Sequence, residues 1–240
     1  MVFDATQNLY CTNSGNNTIS KITPAGTRST FVSTGSDIPF GIAMDTNGNF
    51  YFSSNNNGTI IKITSNGSTM TTFATGLSLP QGLVFDTNGN LYCANRGTSS
   101  ILKITSSGTV STFCSSGVGG NPVGLLFDSS QNLYCLNYFN SPSITRISSI
   151  GIATTIYGTL TGGSCAAFTI SPSGNFYISM TNNTINKITP GGVISTYNPP
   201  GFTLSSYLSG PYQPLFDTNG YLYIANYAGN NIIKVGDPNI

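Results

Sequence analysis

Apolar and polar residues alternate over runs of about five, and the runs recur along the whole chain. The segment Phe85-Asp86-Thr87-Asn88-Gly89-Asn90-Leu91-Tyr92 returns with small changes, its acidic position falling at Asp4, Asp45, Asp86, Asp128, Ser171 and Asp217, at spacings of 41, 41, 42, 43 and 46. Each copy continues through a polar loop into a β-branched run such as Ile60-Ile61-Lys62-Ile63-Thr64 or Ile101-Leu102-Lys103-Ile104-Thr105. A Gly turn and a Thr/Phe-rich run follow, as at Thr71-Thr72-Phe73. Before the next acidic position stands Pro39-Phe40-Gly41, Pro80-Gln81-Gly82 or Pro122-Val123-Gly124. One period thus predicts four short strands, a to d, broken by turn signals. Strand a ends at the Asp, b is the Leu-Tyr segment, c carries a Lys or Arg, and d is the Ser-Thr-Phe segment. The a–b connection holds Asn47-Gly48, Asn88-Gly89 and Asn219-Gly220, a strong hairpin signal. Helices are excluded by the short, β-branched, Gly-broken runs.

Four antiparallel strands per period of about 40 residues describe one blade of a β-propeller. The expected fold is an all-β, six-bladed propeller of four-stranded antiparallel blades forming one domain. Its blades fall near 1–34, 35–75, 76–115, 116–158, 159–198 and 199–240. After Ile232-Ile233-Lys234-Val235 only five residues remain, so the sixth blade is expected to be incomplete. No apolar run is long enough for a membrane span, and Met1-Val2-Phe3-Asp4 does not read as a signal peptide.

The pattern resembles the NHL-repeat family, in which a blade runs Pro-x-Gly-hydrophobic-Asp, then Gly-Asn-hydrophobic-Tyr-hydrophobic, then a polar loop before Arg/Lys-Ile. The resemblance covers nearly the whole chain. It implies a propeller without fixing a function, because such propellers serve as scaffolds, sensors, RNA binders and lyases. The chain departs from the family where the Asp that usually ends strand b is replaced by Asn13, Ser54, Asn95, Asn137, Met180 and Asn226. The composition is also similar to that of NHL-repeat proteins of large DNA viruses and some bacteria. That likeness favours an extracellular, cell-surface or virion-associated setting.

Charge is scarce: 8 Lys and Arg, 7 acids, no His, and a net charge of +1 over 240 residues. All seven acids are Asp. Without His, imidazole acid/base chemistry, a Ser-His-Asp device and a His-ligated zinc are excluded. Five Asp occupy the turn position, where each is expected to accept backbone N–H bonds two or three residues on. Asp45-Thr46-Asn47-Gly48-Asn49 also faintly resembles an EF-hand loop, but it lacks the later Gly and Glu. Lys21, Lys62, Lys103, Arg146, Lys187 and Lys234 occupy strand c and are expected to lay their stems on apolar surface. The repeat leaves only Asp37, Asp237, Arg28 and Arg96 unexplained. Cys11, Cys93 and Cys135 share a position with Phe52, Ile178 and Ile224, so they read as small buried hydrophobes. Cys114 and Cys165 make an odd total with no CxxC pair, which indicates neither a disulfide framework nor zinc.

In propellers the b–c and d–a loops share one face around the channel. The candidate binding residues there are Arg96, Asn95, Asn137, Tyr138, Phe139, Tyr207, Gln213, Asn226 and Tyr227, an amide-and-aromatic set suited to a neutral ligand. The favoured function is a non-catalytic module that presents these loops to a protein or glycan partner, with no cofactor, no metal and no nucleic acid. The first alternative is an enzyme like the lactonase or lyase propellers: gluconolactonase-like families hold a divalent metal with carboxylates, and virginiamycin B lyase-like ones depend on His. The second alternative is an RNA-binding propeller, for which Arg96 alone makes no basic face.

Overall fold

The computed structural model describes residues 1–138, 142–158, 160, 163–199 and 203–236. Blade 1 holds β1 (Val2–Phe3), β2 (Leu9–Asn13), β3 (Thr18–Ile22) and β4 (Arg28–Ser33). Blade 2 holds β5 (Pro39–Met44), β6 (Phe50–Ser54), β7 (Thr59–Ile63) and β8 (Met70–Ala74). Blade 3 holds β9 (Pro80–Phe85), β10 (Leu91–Asn95), β11 (Ser100–Ile104) and β12 (Val110–Cys114). Blade 4 holds β13 (Pro122–Phe127), β14 (Leu133–Asn137), β15 (Ser143–Ile147) and β16 (Ala153–Tyr157). Blade 5 holds β17 (Cys165–Ile170), β18 (Phe176–Met180), β19 (Thr184–Ile188) and β20 (Ile194–Thr196). Blade 6 holds β21 (Pro211–Phe216), β22 (Leu222–Asn226) and β23 (Asn231–Val235). Among the described residues these form five four-stranded sheets and one three-stranded sheet, each an antiparallel meander in chain order. The molecule is a six-bladed propeller whose sixth blade has three strands. The end segment expected to be too short for another strand lies mostly at 237–240, outside the described residues.

The Asp turn explains the repeat's acids. In blade 2, Gly48 N–H donates to the Asp45 carbonyl at 3.0 Å, and Gly48 has φ +79°. This is a type I turn closed by a left-handed residue, one residue longer than the two-residue turn that Asn-Gly favours. In blades 1 and 4 the left-handed position is Gln7 (φ 63°) and Gln131 (φ 62°). Asp45 Oδ1 accepts the N–H groups of Asn47 and Asn49, and Oδ2 accepts the Asn49 amide and the Tyr51 hydroxyl. The backbone donors are therefore two and four residues on, rather than two and three. The strand-b Tyr in turn lies under the strand-c Lys, with Nζ 5.4 Å from the Tyr51 centroid for Lys62 and 5.6 Å from Tyr92 for Lys103. Arg146 breaks the series and donates to Asn132 Oδ1 at 2.8 Å.

Core packing runs between blades. Tyr51 meets Phe73 of its own blade and Phe85 of the next at 4.9 and 5.0 Å, both edge-on. Tyr92 repeats this with Phe113 and Phe127. Cys93, Cys114, Cys135 and Cys165 are buried free thiols, as small hydrophobes would be, while Cys11 is half-buried. The c–d turns of blades 2 to 5 also lean on strand d of the preceding blade. A Cβ on Gly108 would stand 2.5 Å from the Phe73 carbonyl oxygen, and one on Gly151 would stand 2.2 Å from that of Phe113.

The Pro-x-Gly stretch has a steric cause at the centre. A Cβ on Gly41 would lie 2.3 Å from the Gln81 carbonyl oxygen, and one on Gly82 would lie 2.7 Å from that of Val123. Neighbouring a strands approach backbone to backbone there, which only Gly permits. The a–b register slips beside each of these stretches, for example between Pro39 and Ile42. The result is a nearly closed channel, with a cavity of about 60 Å³ bordered by Gly41, Gly82, Gly124, Ala167, Tyr212 and Gln213 among others. That is room for a few waters and no more. A larger ligand does not fit in this cavity, and the mouth of the channel is the place open to one.

Candidate functional site

Of the charges that the repeat leaves unassigned, Arg96 stands at the mouth. Arg96 opens a 3₁₀ turn, Arg96–Thr98, directly after β10. Its Nε donates to Asn121 Oδ1 at 3.3 Å, and its guanidinium lies 5.7 Å from the Tyr138 ring centroid. Tyr212, on β21, stands close enough to both for Arg96 and Tyr138 to act on its phenol electrostatically. Burial pushes the Tyr212 phenol up from its ordinary 10.0, and the Arg96 cation opposes this. The group therefore stays protonated at neutral pH and carries a hydrogen-bond donor. The side chain of Gln81, in the equivalent position on β9, is buried beside the same cavity. Blades 3, 4 and 6 thus bring one cation and two phenols together over the closed channel.

The structure brings together only some of the residues picked out from sequence. Asn95, Asn137 and Asn226 are buried and act as loop ties. Asn95 Oδ1 accepts the Ser78 N–H at 2.8 Å and its amide donates to Thr98 Oγ1 at 2.6 Å. Asn226 Oδ1 accepts the Ser209 N–H, and its Nδ2 donates to the Tyr207 carbonyl and Asn231 Oδ1. Asn137 Nδ2 donates to Ser143 Oγ and Thr145 Oγ1. In blade 2, where Ser54 replaces the Asn, Asp37 makes the tie by accepting from Ser54 Oγ at 2.7 Å and Asn57 Nδ2 at 2.6 Å. Gln213 reaches across the blade 6–blade 1 seam, and its Nε2 donates to the Met1 carbonyl at 3.2 Å. Tyr207 and Tyr227 are 58% and 69% exposed on top of blade 6, outside the mouth. Phe139 lies outside the described residues.

Sequence reasoning missed Tyr212, Gln81 and Asn121. The signal for the first two was the middle residue of Pro-x-Gly. Across blades 2 to 6 it reads Phe40, Gln81, Val123, Ala166 and Tyr212, while Pro precedes it in four of the five blades and Gly follows it in three. Among the described residues no three His, Cys, Asp or Glu side chains stand together as metal ligands. The residues present therefore do not fit the carboxylate-held metal of gluconolactonase-like propellers.

The model of the virginiamycin B lyase family matches residues 1–235. The chain belongs to the virginiamycin B lyase family. This match corrects the expectation of a non-catalytic interaction module, because the family is one of lyases. Scarcity of charge weighed against an enzyme in the sequence. The charge that the repeat does not use includes Arg96, and Arg96 stands at the mouth. The resemblance to NHL-repeat proteins holds at the level of the propeller.

Three solved structures share the fold at low identity. A catalytically inactive histidine-to-alanine variant of virginiamycin B lyase from Staphylococcus aureus, with quinupristin, has 20% identity and a TM-score of 0.76, covering 100% of this chain and 80% of that one. A gluconolactonase from Xanthomonas campestris has 14% identity and a TM-score of 0.77, covering 92% and 80%. A chain of the nidogen–laminin complex has 16% identity and a TM-score of 0.79, covering 95% and 88%. No curated protein sequence matches the chain significantly. Since this chain has no His, it cannot use the histidine whose loss inactivates the staphylococcal lyase.

Proposed function

We propose that the chain is a ring-opening enzyme of the lyase class that acts at the channel mouth on an uncharged cyclic ester. The observation that carries this reading is the Arg96–Tyr138–Tyr212 cluster at the mouth of a virginiamycin B lyase family propeller. An ester ring opens by elimination when a C–H proton next to a carbonyl is removed as the C–O bond breaks. The C–H electron pair becomes the C=C bond, and the C–O pair leaves with the carboxylate. Negative charge builds on the carbonyl oxygen, where a fixed guanidinium stabilises it. Tyr212, held protonated, donates a hydrogen bond to the same charge.

With no imidazole in the chain and Asp37 tied into its loop, the proton passes to solvent hydroxide, which becomes water. The rate then climbs with pH and shows no inflection near the ordinary His value of about 6.5. The test is incubation with a streptogramin B depsipeptide and with a sugar lactone, read by mass spectrometry. Elimination gives an isomer of unchanged mass, and hydrolysis adds one water. Arg96→Ala is expected to lower kcat/KM about 100-fold. Turnover of neither ring, or an Arg96→Ala variant as active as the wild type, overturns the reading.

A further inference from the structure

The mouth holds a cation that no described carboxylate of the chain answers. Within the described b–c and d–a loops only Arg96 and Asp37 are charged. The Asp37 carboxylate is taken by Ser54 and Asn57. The acid of blade 3, Asp86, is held in its own turn by Asn88 and Asn90, at the far end of β10. The five extended residues of that strand put about 17 Å between the two ends. Asp4, Asp45, Asp128 and Asp217 are held in the matching turns of their own blades. Among the described residues Arg96 thus has an amide partner, Asn121, and an aromatic one, Tyr138, but no counter-ion. It is half-buried, so packing as well as hydrogen bonding holds it in place.

Two further groups belong to the same place. Tyr212 borders the channel cavity and stands within electrostatic reach of Arg96. Gln81 borders the cavity as well and is only 4% exposed. Ser53 Oγ donates to the Gln81 backbone carbonyl, and among the described residues the Gln81 side-chain amide has no hydrogen-bond partner. A buried amide beside a cavity is paired by what enters there. A guanidinium fork, a phenol and an amide NH₂ all donate hydrogen bonds. That set suits a carboxylate, which is planar, anionic and acceptor-only.

We propose that the mouth is a carboxylate site and that it retains the acid released by ring opening. The retention rests on the ring-opening reading: the cyclic ester is uncharged, and breaking its C–O bond leaves one carboxylate on the product. Arg96 then holds product more tightly than substrate, which builds product inhibition into the site.

The binding test needs no turnover. Benzoate and benzamide share a shape and differ in charge. Isothermal titration calorimetry of the full chain at low ionic strength should find benzoate bound about tenfold more tightly. Arg96→Gln should erase that preference. Arg28→Gln, which removes a cation from β4, should keep it. Tyr212→Phe and Gln81→Met should each weaken benzoate about threefold. The proposal is overturned if benzoate binds no more tightly than benzamide, if Arg96→Gln keeps the preference, or if Arg28→Gln loses it. Benzoate held through Arg96 by a chain that opens no ring would leave the carboxylate site standing and overturn the ring-opening reading. Ring opening that saturating benzoate does not slow would overturn the retention and leave that reading standing.

Discussion

Replacing Asp128 tests the turn that organises each blade. Its carboxylate accepts four hydrogen bonds: from Ser130 N–H and Asn132 N–H at 2.9 Å each, from the Asn132 amide at 2.7 Å, and from the Tyr134 hydroxyl at 3.1 Å. Bonds to a charged acceptor contribute about 1.5–3 kcal/mol each when buried. Asp128 is half-buried and Ser130 is exposed, so water replaces much of that on deletion. Asp128→Ala is therefore expected to cost about 2–3 kcal/mol in total. That corresponds to a drop in Tm of about 4–12 °C for a chain of this size. Asp128→Asn keeps an oxygen for the two backbone donors but turns an NH₂ toward the Asn132 amide and Tyr134. It is expected to cost about half as much.

The carboxyl supplies a second signature in pH. Burial raises its pKa, but the bonds from Asn132, Tyr134 and Ser130 outweigh this and hold it below the ordinary 3.8. A depressed folded value means stability that is fully present above 3.8 and is lost as pH falls through the folded value. Urea denaturation of wild type and Asp128→Ala at neutral pH and near pH 3 should show a gap that narrows on acidification. Equal stability of the two at neutral pH, or a gap that widens in acid, would refute the argument.

Ser171→Asp gives blade 5 the acid that five other blades have and should raise stability by about 1 kcal/mol in the same assay. Gly82→Ala puts a Cβ 2.7 Å from the Val123 carbonyl oxygen, and thermal unfolding should show a loss of about 2 kcal/mol or more. Burial pushes the Cys93 and Cys165 thiols up to about 12 and raises Cys11, Cys114 and Cys135 as well, so Ellman's reagent should find at most about one slowly reacting thiol, the half-buried Cys11, in the native chain. All five cysteines should react after denaturation.

The fold was legible because each blade repeats one solution to one packing problem. Asp45, Tyr51 and Lys62 recur together since the Tyr needs the Asp below it and lies under the Lys. The site was less legible because its parts break the repeat from three blades. Arg96 stood out as a charge without a repeat partner. Tyr212 did not, because a Tyr beside Pro211 in a chain with 13 Tyr carries no mark in sequence alone. Asn95, Asn137 and Asn226 misled for a physical reason: an amide at the end of strand b is equally suited to binding a ligand and to tying its own loop, and burial decided for the tie.

The c–d turns couple neighbouring blades. Gly67 sits against Phe31, Gly108 against Phe73 and Gly151 against Phe113, so each of these turns rests on strand d of the blade before it. The contact is mutual: opening of one blade frees the turn of its successor and uncovers strand d of its predecessor. Hydrogen exchange should show loss of protection spreading to both neighbours.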